Sequence, residues 1–254
     1  MLIEIDNLHF TYPSGVAALR GVSLRVKPGE RLAIIGQNGS GKTTLARHLN
    51  GLLRPTQGAV TVGGWRTADR SVAQMARRVG YVFQHPDEQL CRRTVRDEVA
   101  FGPLNLGCAA AQVARQVEGA LTQLGLESHA TTNPHDLSSA DRRRVAIASV
   151  VAMDTPIIVL DEPTTGQDQR FLTQLAGLLA AWQVAGKTII AISHDIDFVA
   201  EQFERVLVLG QGRLLLDGSP AAVFRETETL AGTFVQPPQL VRLATALGLS
   251  PDGA

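Results

Sequence analysis

Eight consecutive residues, Gly36-Gln37-Asn38-Gly39-Ser40-Gly41-Lys42-Thr43, have the G-x-x-x-x-G-K-[ST] spacing of a phosphate-cradling loop. Each residue type has a physical task there. Gly36, Gly39 and Gly41, with Asn38 and Ser40 between them, let the backbone wrap an anion with its N–H groups. A helix expected to follow, opening with Lys42, Thr43 and Thr44, turns the positive end of its dipole toward the same anion. Lys42 is suited to neutralise β- and γ-phosphate charge, and Thr43 to offer its hydroxyl to Mg²⁺.

A second run, Ile157-Ile158-Val159-Leu160-Asp161-Glu162, is an apolar strand that ends in two acids. Alone it reads equally well as a buried strand that stops at solvent. Beside a phosphate loop it acquires chemistry. Asp161 at a strand end can hold Mg²⁺ through water in such a site. Glu162, one residue on, can polarise an attacking water as general base. Parallel α/β sheets present such groups at the carboxyl ends of their strands.

The elements that must position these groups follow from hydrophobic period. Apolar alternation predicts strands at 2–5 and 22–26, a β-rich run at 31–35 leading into the glycine cluster, and a helix over about 42–53. Strands are expected at 59–62 and 81–83. Residues from about 85 to 155 read as helical, with helical spacing clearest at 109–124 and 140–153. Strand–helix alternation then resumes: 157–161, a helix near 169–185, 188–193, a short helix, 205–209. This order predicts a mostly parallel sheet covered by helices. A hairpin is expected at 205–217, turning at Gln211-Gly212, and a short helix at 239–247 after Pro237-Pro238. The division implied is a nucleotide-binding domain over 1–230, with the helical part inserted, and a tail over 231–254.

Composition sets bounds. The 254 residues carry 24 basic and 24 acidic side chains, so the basic excess usual in a nucleic-acid binder is absent. Cys91 and Cys108 lack metal-ligand spacing. No run approaches the ~20 apolar residues that span a bilayer, so membrane work would need partner proteins. Lysine occurs only at 27, 42 and 187, and one of the three sits in the glycine-rich loop.

The order of motifs resembles the nucleotide-binding subunit of ABC transporters over nearly the whole chain. The resemblance rests on the phosphate loop, Gln84 after YVF, IIVLDEPT at 157–164, the turn Thr165-Gly166-Gln167-Asp168 and His194 in AISHD. FTYP at 10–13, VFQHPDEQL at 82–90, TVRDEVAFGPLNLG at 94–107 and PPQLVRLATALGL at 237–249 look like the ATPase component of energy-coupling factor importers of vitamins and transition-metal ions. The resemblance implies an α/β P-loop NTPase fold: a parallel-sheet core, an N-terminal antiparallel β subdomain and an inserted helical subdomain. It implies a Mg²⁺-dependent ATPase on the cytoplasmic face of the cell membrane. Tyr12 would stack on adenine; Lys42 and Thr43 would bind phosphates and Mg²⁺. Gln84 and Asp161 would complete the metal shell. Glu162 would be the base, His194 would contact the γ-phosphate, and Asp168 would signal across a dimer interface.

Blander readings stand beside these. Tyr12 before Pro13 reads equally as a turn aromatic, a lone histidine such as His194 is more often a core or capping residue, and a strand-end Gln84 is ordinarily solvated. His9, His48, His85, His129 and His135 lack ligand spacing. Arg142-Arg143-Arg144 read as a solvated helix face. The family's Leu-Ser-Gly-Gly-Gln signature is Leu137-Ser138-Ser139-Ala140-Asp141 here, without both glycines and the glutamine. Such a segment serves the opposite subunit's ATP, so the departure implies a different ATPase partner rather than a second copy. A transmembrane subunit is expected to dock near Gln84–Leu90, with a separate membrane protein choosing the substrate. The alternatives are a soluble ABC ATPase acting on DNA or ribosomes, and a clamp that holds ATP with little hydrolysis.

Overall fold

Five short strands are apolar and buried at nearly every position, the pattern of a parallel sheet covered on both faces. In the computed structural model, which describes residues 1–247, the chain opens with β1 (Ile3–Thr11) and β2 (Ala17–Val26). β3 (Arg31–Ile35) then runs into α1 (Lys42–Leu49), followed by β4 (Gln57–Val62), β5 (Trp65–Arg66), α2 (Val72–Met75) and β6 (Val79–Val82). Three helices come next: α3 (Val95–Asn105), α4 (Ala110–Leu124) and α5 (Ser139–Val151). The rest alternates as β7 (Ile157–Asp161), α6 (Gln169–Val184), β8 (Thr188–Ile192), α7 (Ile196–Gln202), β9 (Arg205–Gly210) and β10 (Arg213–Gly218). It ends in α8 (Pro220–Arg225), α9 (Thr227–Gly232) and α10 (Gln239–Ala246). The expected tail extends to 254, and its residues 248–254 lie outside the described ones.

Two sheets result. A four-stranded antiparallel sheet has the order β2-β1-β4-β5, and a six-stranded sheet the order β10-β9-β3-β8-β7-β6. Within the second, β9, β3, β8, β7 and β6 are parallel neighbours and β10 is antiparallel to β9. Side chains alternate between its faces as the two-residue period requires. Ala33, Ile35, Ile158 and Leu160 join the core shared with α3–α6. Leu32, Ile34, Ile157 and Val159 join the core shared with α1 and the antiparallel sheet.

The α/β class, the antiparallel N-terminal sheet and the hairpin are as expected. Gln211 and Gly212 both take positive φ, 49° and 78°, as a two-residue turn matched to strand twist demands. Three boundaries differ. β1 runs on to Thr11 and β2 starts at Ala17, because half-exposed strands carry polar residues that blur the alternation; register shifts interrupt their pairing between Ile5 and Leu8. The first helix ends at Leu49 rather than near 53, with Gly51 in the left-handed region. The arginine run is not a uniformly solvated face: Arg143 is buried, while Arg142 and Arg144 are half-buried.

One buried histidine marks the core under α1. His48 Nδ1 donates to Thr44 O at 2.7 Å, its ring meets Phe10 edge-on at 4.9 Å, and Nε2 is buried without a hydrogen bond. Burial holds its pKa below the ordinary value, against the pull of the Thr44 and Arg54 carbonyls. The unfolded imidazole takes up a proton at its ordinary value while the folded ring resists. The stability tied to the neutral ring is therefore complete above that value and is lost as pH falls through and below it. Denaturant unfolding of wild type and His48→Gln across pH 7.5 to 5.5 isolates this contribution from that of the buried carboxyls, whose raised pKa acts in the opposite direction. The advantage of wild type over His48→Gln should shrink over the same interval, and a constant difference would contradict the assignment.

Candidate functional site

Four parallel strands that lie side by side, β3, β8, β7 and β6, end at one edge of the sheet, and the residues just beyond them form a cleft of about 470 Å³. β3 delivers the phosphate loop, β7 delivers Asp161 and Glu162, β8 delivers His194, and β6 delivers Gln84. Tyr12 reaches the cleft from the turn between β1 and β2. Asn38, Gly39, Ser40, Gly41, Lys42, Thr43 and Thr44 line it together with Tyr12, Gln84, Asp161, Glu162 and His194. Gly36 lies beneath, on the neighbouring cavity wall.

The loop is shaped by close backbone approach. A Cβ on Gly36 (φ 145°) would lie 2.2 Å from Leu209 O, and one on Gly41 (φ 104°) 2.7 Å from Ala18 O. The β9–β10 turn braces it, because Gly212 N donates to Ser40 O at 3.0 Å while Arg20 N donates to Gly212 O at 2.8 Å. α1 begins at Gly41 with no side-chain cap and no acid in its first turn. Helices α3, α5, α6, α7 and α8 are each capped by a Thr, Ser or Asp side chain. α4 and α9 also start without a side-chain cap, but α1 opens at the cleft directly off the glycine-rich loop, so its free N–H groups are available to an anion there. Ser40 Oγ is buried without a partner. Lys42 Nζ donates to Gly36 O at 2.7 Å and Gln37 O at 3.0 Å, lying across the loop. Burial lowers the Lys42 pKa, and the charges of Glu162 and Asp161 oppose that. These features fit a polyphosphate.

The acidic side fits a hard cation and a water. Asp161 is 1% exposed; its Oδ2 accepts from Tyr81 Oη at 2.9 Å and its Oδ1 from Thr43 Oγ1 at 3.4 Å. Burial raises its pKa, against those two hydrogen bonds and the charges of Arg47 and Lys42. Oxygen donors from Thr43, Gln84 and Asp161 facing one cleft are the donor set Mg²⁺ takes.

Glu162 is 3% exposed and takes φ 54°, a left-handed conformation costly for a non-glycine. Its N donates to Ile192 O at 2.9 Å, and its Oε2 accepts from His194 N at 3.3 Å and Thr165 Oγ1 at 3.4 Å. Oε1 lies 3.0 Å from His194 Nε2 yet accepts no well-aimed hydrogen bond. Burial pushes the carboxyl up to about 7, with the His194 N–H and Lys42 pulling it down and Asp161 pushing it further up. The His194 imidazole is held below its ordinary value by burial and then by Lys42. A carboxyl poised near neutrality, with one oxygen unsatisfied, can take a proton from water.

Tyr12 combines a turn position with a place on the cleft wall. It sits in a turn, with Gly15 N donating to its carbonyl at 2.8 Å, and its ring lines the cleft beside Val16 and Ala18. Its Oη lies 2.9 Å from Thr44 Oγ1. Asp168 caps α6, accepting from Phe171 N at 2.8 Å. The altered signature caps α5: Ser138 Oγ accepts from Asp141 N at 3.1 Å and donates to Asp141 Oδ2 at 2.7 Å. Asp141 is thereby folded back on its own helix, 3.7 Å from Arg144.

Sequence reasoning missed two residues that hold the site from behind its lining. Tyr81 is the hydroxyl partner of Asp161, and the alternation within β6 gives no hint that it reaches a neighbouring strand's end. Arg143 donates to the carbonyls of Glu162 at 2.8 Å and Gln84 at 2.9 Å.

Comparisons with known proteins bear on this cleft. A family model described as ABC transporter matches residues 19–165. The energy-coupling factor transporter ATP-binding protein EcfA of Methanothermobacter thermautotrophicus is 39% identical over 251 residues, 98% of this chain and 81% of that protein. EcfA of Methanocaldococcus jannaschii is 40% identical over 248 residues, 97% and 89% of the two chains. Among solved structures, cbiO1 of Clostridium perfringens, part of the ABC transporter complex cbiONQ, matches with a TM-score of 0.79 and 34% identity, covering 96% of this chain and 98% of that one. An ATP-binding cassette dimer in a post-hydrolysis state, bound to ADP and phosphate, matches with a TM-score of 0.79 and 28% identity, covering 85% and 98%.

Replacing Lys42 with Ala removes charge-assisted contacts worth about 1.5–3 kcal/mol to an anion. Titration with a fluorescent ATP analogue should show affinity about 10- to 100-fold lower, and unchanged affinity would remove Lys42 from phosphate binding.

Proposed function

Because this chain belongs to the ABC transporter family, whose ATP-hydrolysing subunits it matches over nearly its full length, we propose that it powers a membrane importer of the energy-coupling factor type, with Glu162 as the general base. The observation that carries the chemistry is the buried Glu162 carboxyl, raised to about 7 and wedged between His194 and the phosphate loop. In this reading ATP lies along the loop with adenine against Tyr12. Lys42 turns its ammonium from the loop carbonyls to the phosphates. Glu162 accepts a proton from the attacking water as the new P–O bond forms and the bond to the ADP oxygen breaks. His194 donates a hydrogen bond to the γ-phosphate. Thr43, Gln84 and Asp161 would hold Mg²⁺, which when bound supplies neutralising charge to the phosphate oxygens. The division of labour is positioning and electrostatics rather than covalent chemistry.

The domain reading is a nucleotide-binding domain over 1–230, with the helices of about 85–155 inserted, and a tail from 231. A groove of about 200 Å³ floored by Phe83, Val79, Phe101 and Met153 lies beside the Gln84–Leu90 loop. It suits the apolar face of an amphipathic helix from a transmembrane subunit. No helix among the described residues is long and apolar enough to cross a membrane; attachment at the cytoplasmic face is proposed from the transporter relatives. A separate membrane protein would select the vitamin or transition-metal ion.

The relatives' dimers support a two-subunit engine. Here a different ATPase partner is favoured. Each site in such a dimer joins one subunit's loop to the other's signature, and the segment at 138–141 lacks the glycines that permit close backbone approach to phosphate. Two copies would place that segment in both sites. A partner with an intact signature would complete the site built on Lys42 and Glu162.

Two measurements test this. Glu162→Gln in the assembled complex should leave ATP binding intact and lower turnover by about 10²–10⁴-fold, the loss expected of a general base; undiminished turnover would exclude the role. The isolated chain should hydrolyse ATP slowly, and the triple variant Ser139→Gly, Ala140→Gly, Asp141→Gln should speed it by up to about 10²–10³-fold. A brisk homodimer that gains nothing from the restored signature would exclude the mixed dimer.

A further inference from the structure

Arg143 stands in the first turns of α5, within three consecutive arginines, yet it is only 7% exposed. Its Nη1 donates to Glu162 O at 2.8 Å and its Nη2 donates to Gln84 O at 2.9 Å. Burying a guanidinium is costly. Burial lowers its pKa, and the attraction of Glu162 and Asp161 opposes that. A charge retained at such cost is spent here on two main-chain carbonyls just past the ends of β6 and β7, where the sheet ladder no longer supplies donors. The planar fork of arginine fixes both carbonyls at once, which a lysine ammonium on a flexible stem does not.

The two carbonyls belong to segments with different tasks. Gln84 heads the loop beside the apolar groove, and that loop is stitched to α5. Asp87 accepts from Arg142 at 3.1 Å, and Gln89 Nε2 donates to Ala146 O at 2.8 Å and Ser149 Oγ at 2.9 Å. Glu162 carries the buried carboxyl on a backbone held at φ 54°. The direction in which its side chain points depends on that backbone staying where it is. One side chain therefore joins the loop, the helix and the carboxylate-bearing backbone.

We propose that Arg143 is a positioning residue that locks the main-chain carbonyls of Gln84 and Glu162 to α5 and so holds the aim of the Glu162 carboxylate. The inference rests on Glu162 being the base. It predicts an effect on turnover without an effect on nucleotide binding, because Arg143 does not line the nucleotide cleft.

The test uses the purified complex with its membrane partner, and compares Arg143→Met and Arg143→Lys with wild type and Glu162→Gln. A misplacement of about 1 Å can cost 10²-fold in rate. Arg143→Met should lower kcat by about 10-fold or more, while KM for ATP and the affinity for a fluorescent ATP analogue stay within about 2-fold. Arg143→Lys, which keeps the charge and reaches one carbonyl, should recover part of the loss. Wild-type kcat in Arg143→Met, in a preparation where Glu162→Gln has lost turnover, would overturn the inference and leave the base intact. A joint fall of kcat and nucleotide affinity, with Arg143→Lys no better than Arg143→Met, would mark a residue that only supports the fold and would also overturn it. Undiminished turnover in Glu162→Gln would remove the base reading and the inference with it.

Discussion

Two adjacent carboxylates at the buried end of one strand impose the central constraint on this molecule. Asp161 and Glu162 sit where the parallel sheet meets its helices, nearly free of solvent. Displacing the Glu162 carboxyl from 4.5 to about 7 corresponds to about 3 kcal/mol against ionisation. A structure that carries this cost must supply compensation nearby. Lys42 supplies charge, Tyr81 and Thr43 supply hydrogen bonds to Asp161, and the His194 N–H supplies one to Glu162. The compensation is incomplete at Oε1 of Glu162, and that incompleteness is where proton chemistry can occur.

The phosphate loop answers the same electrostatics from the other side. Its lysine is tied to loop carbonyls, and its helix starts uncapped. An anion entering the cleft would give Lys42 and the α1 N–H groups their partner, while a hard cation would relieve Asp161. Each charge in the cleft is thus provided for by a ligand that brings the opposite one. The altered signature lies outside this arrangement. There Ser138 and Asp141 satisfy each other at the N-terminus of α5, a local capping solution that places a negative charge where the helix dipole favours it.

Much of this was legible from residues alone where local rules act. The phosphate loop, the strand ending in Asp161-Glu162 and the Gln211-Gly212 turn follow from spacing, apolar period and the need for positive φ. Apolar alternation marks only parts of the strands 3–11 and 17–26, since a sheet with one wetter face does not keep strict alternation. Three charged residues in a row look like a helix surface, so the sequence alone does not mark Arg143 as buried. Burial of the middle one depends on which way α5 is rotated against β6 and β7, and no local pattern encodes that rotation.

The sequence by itself determined the chemistry available: a glycine-rich anion loop with its lysine, a carboxylate pair on an apolar strand, and a fold class able to bring them near. Those are properties of short segments, governed by backbone freedom, side-chain type and hydrophobic period. Tertiary structure decided how the groups act on one another. The strand order β9-β3-β8-β7-β6 brings Lys42, His194, Glu162 and Gln84 to a single edge from positions up to 152 apart in number. Burial at that edge raises the Glu162 carboxyl, and the packing of α5 turns Arg143 inward to the two carbonyls. Desolvation and close contact between distant segments exist only once the chain has folded, so their consequences could be read only from the folded form.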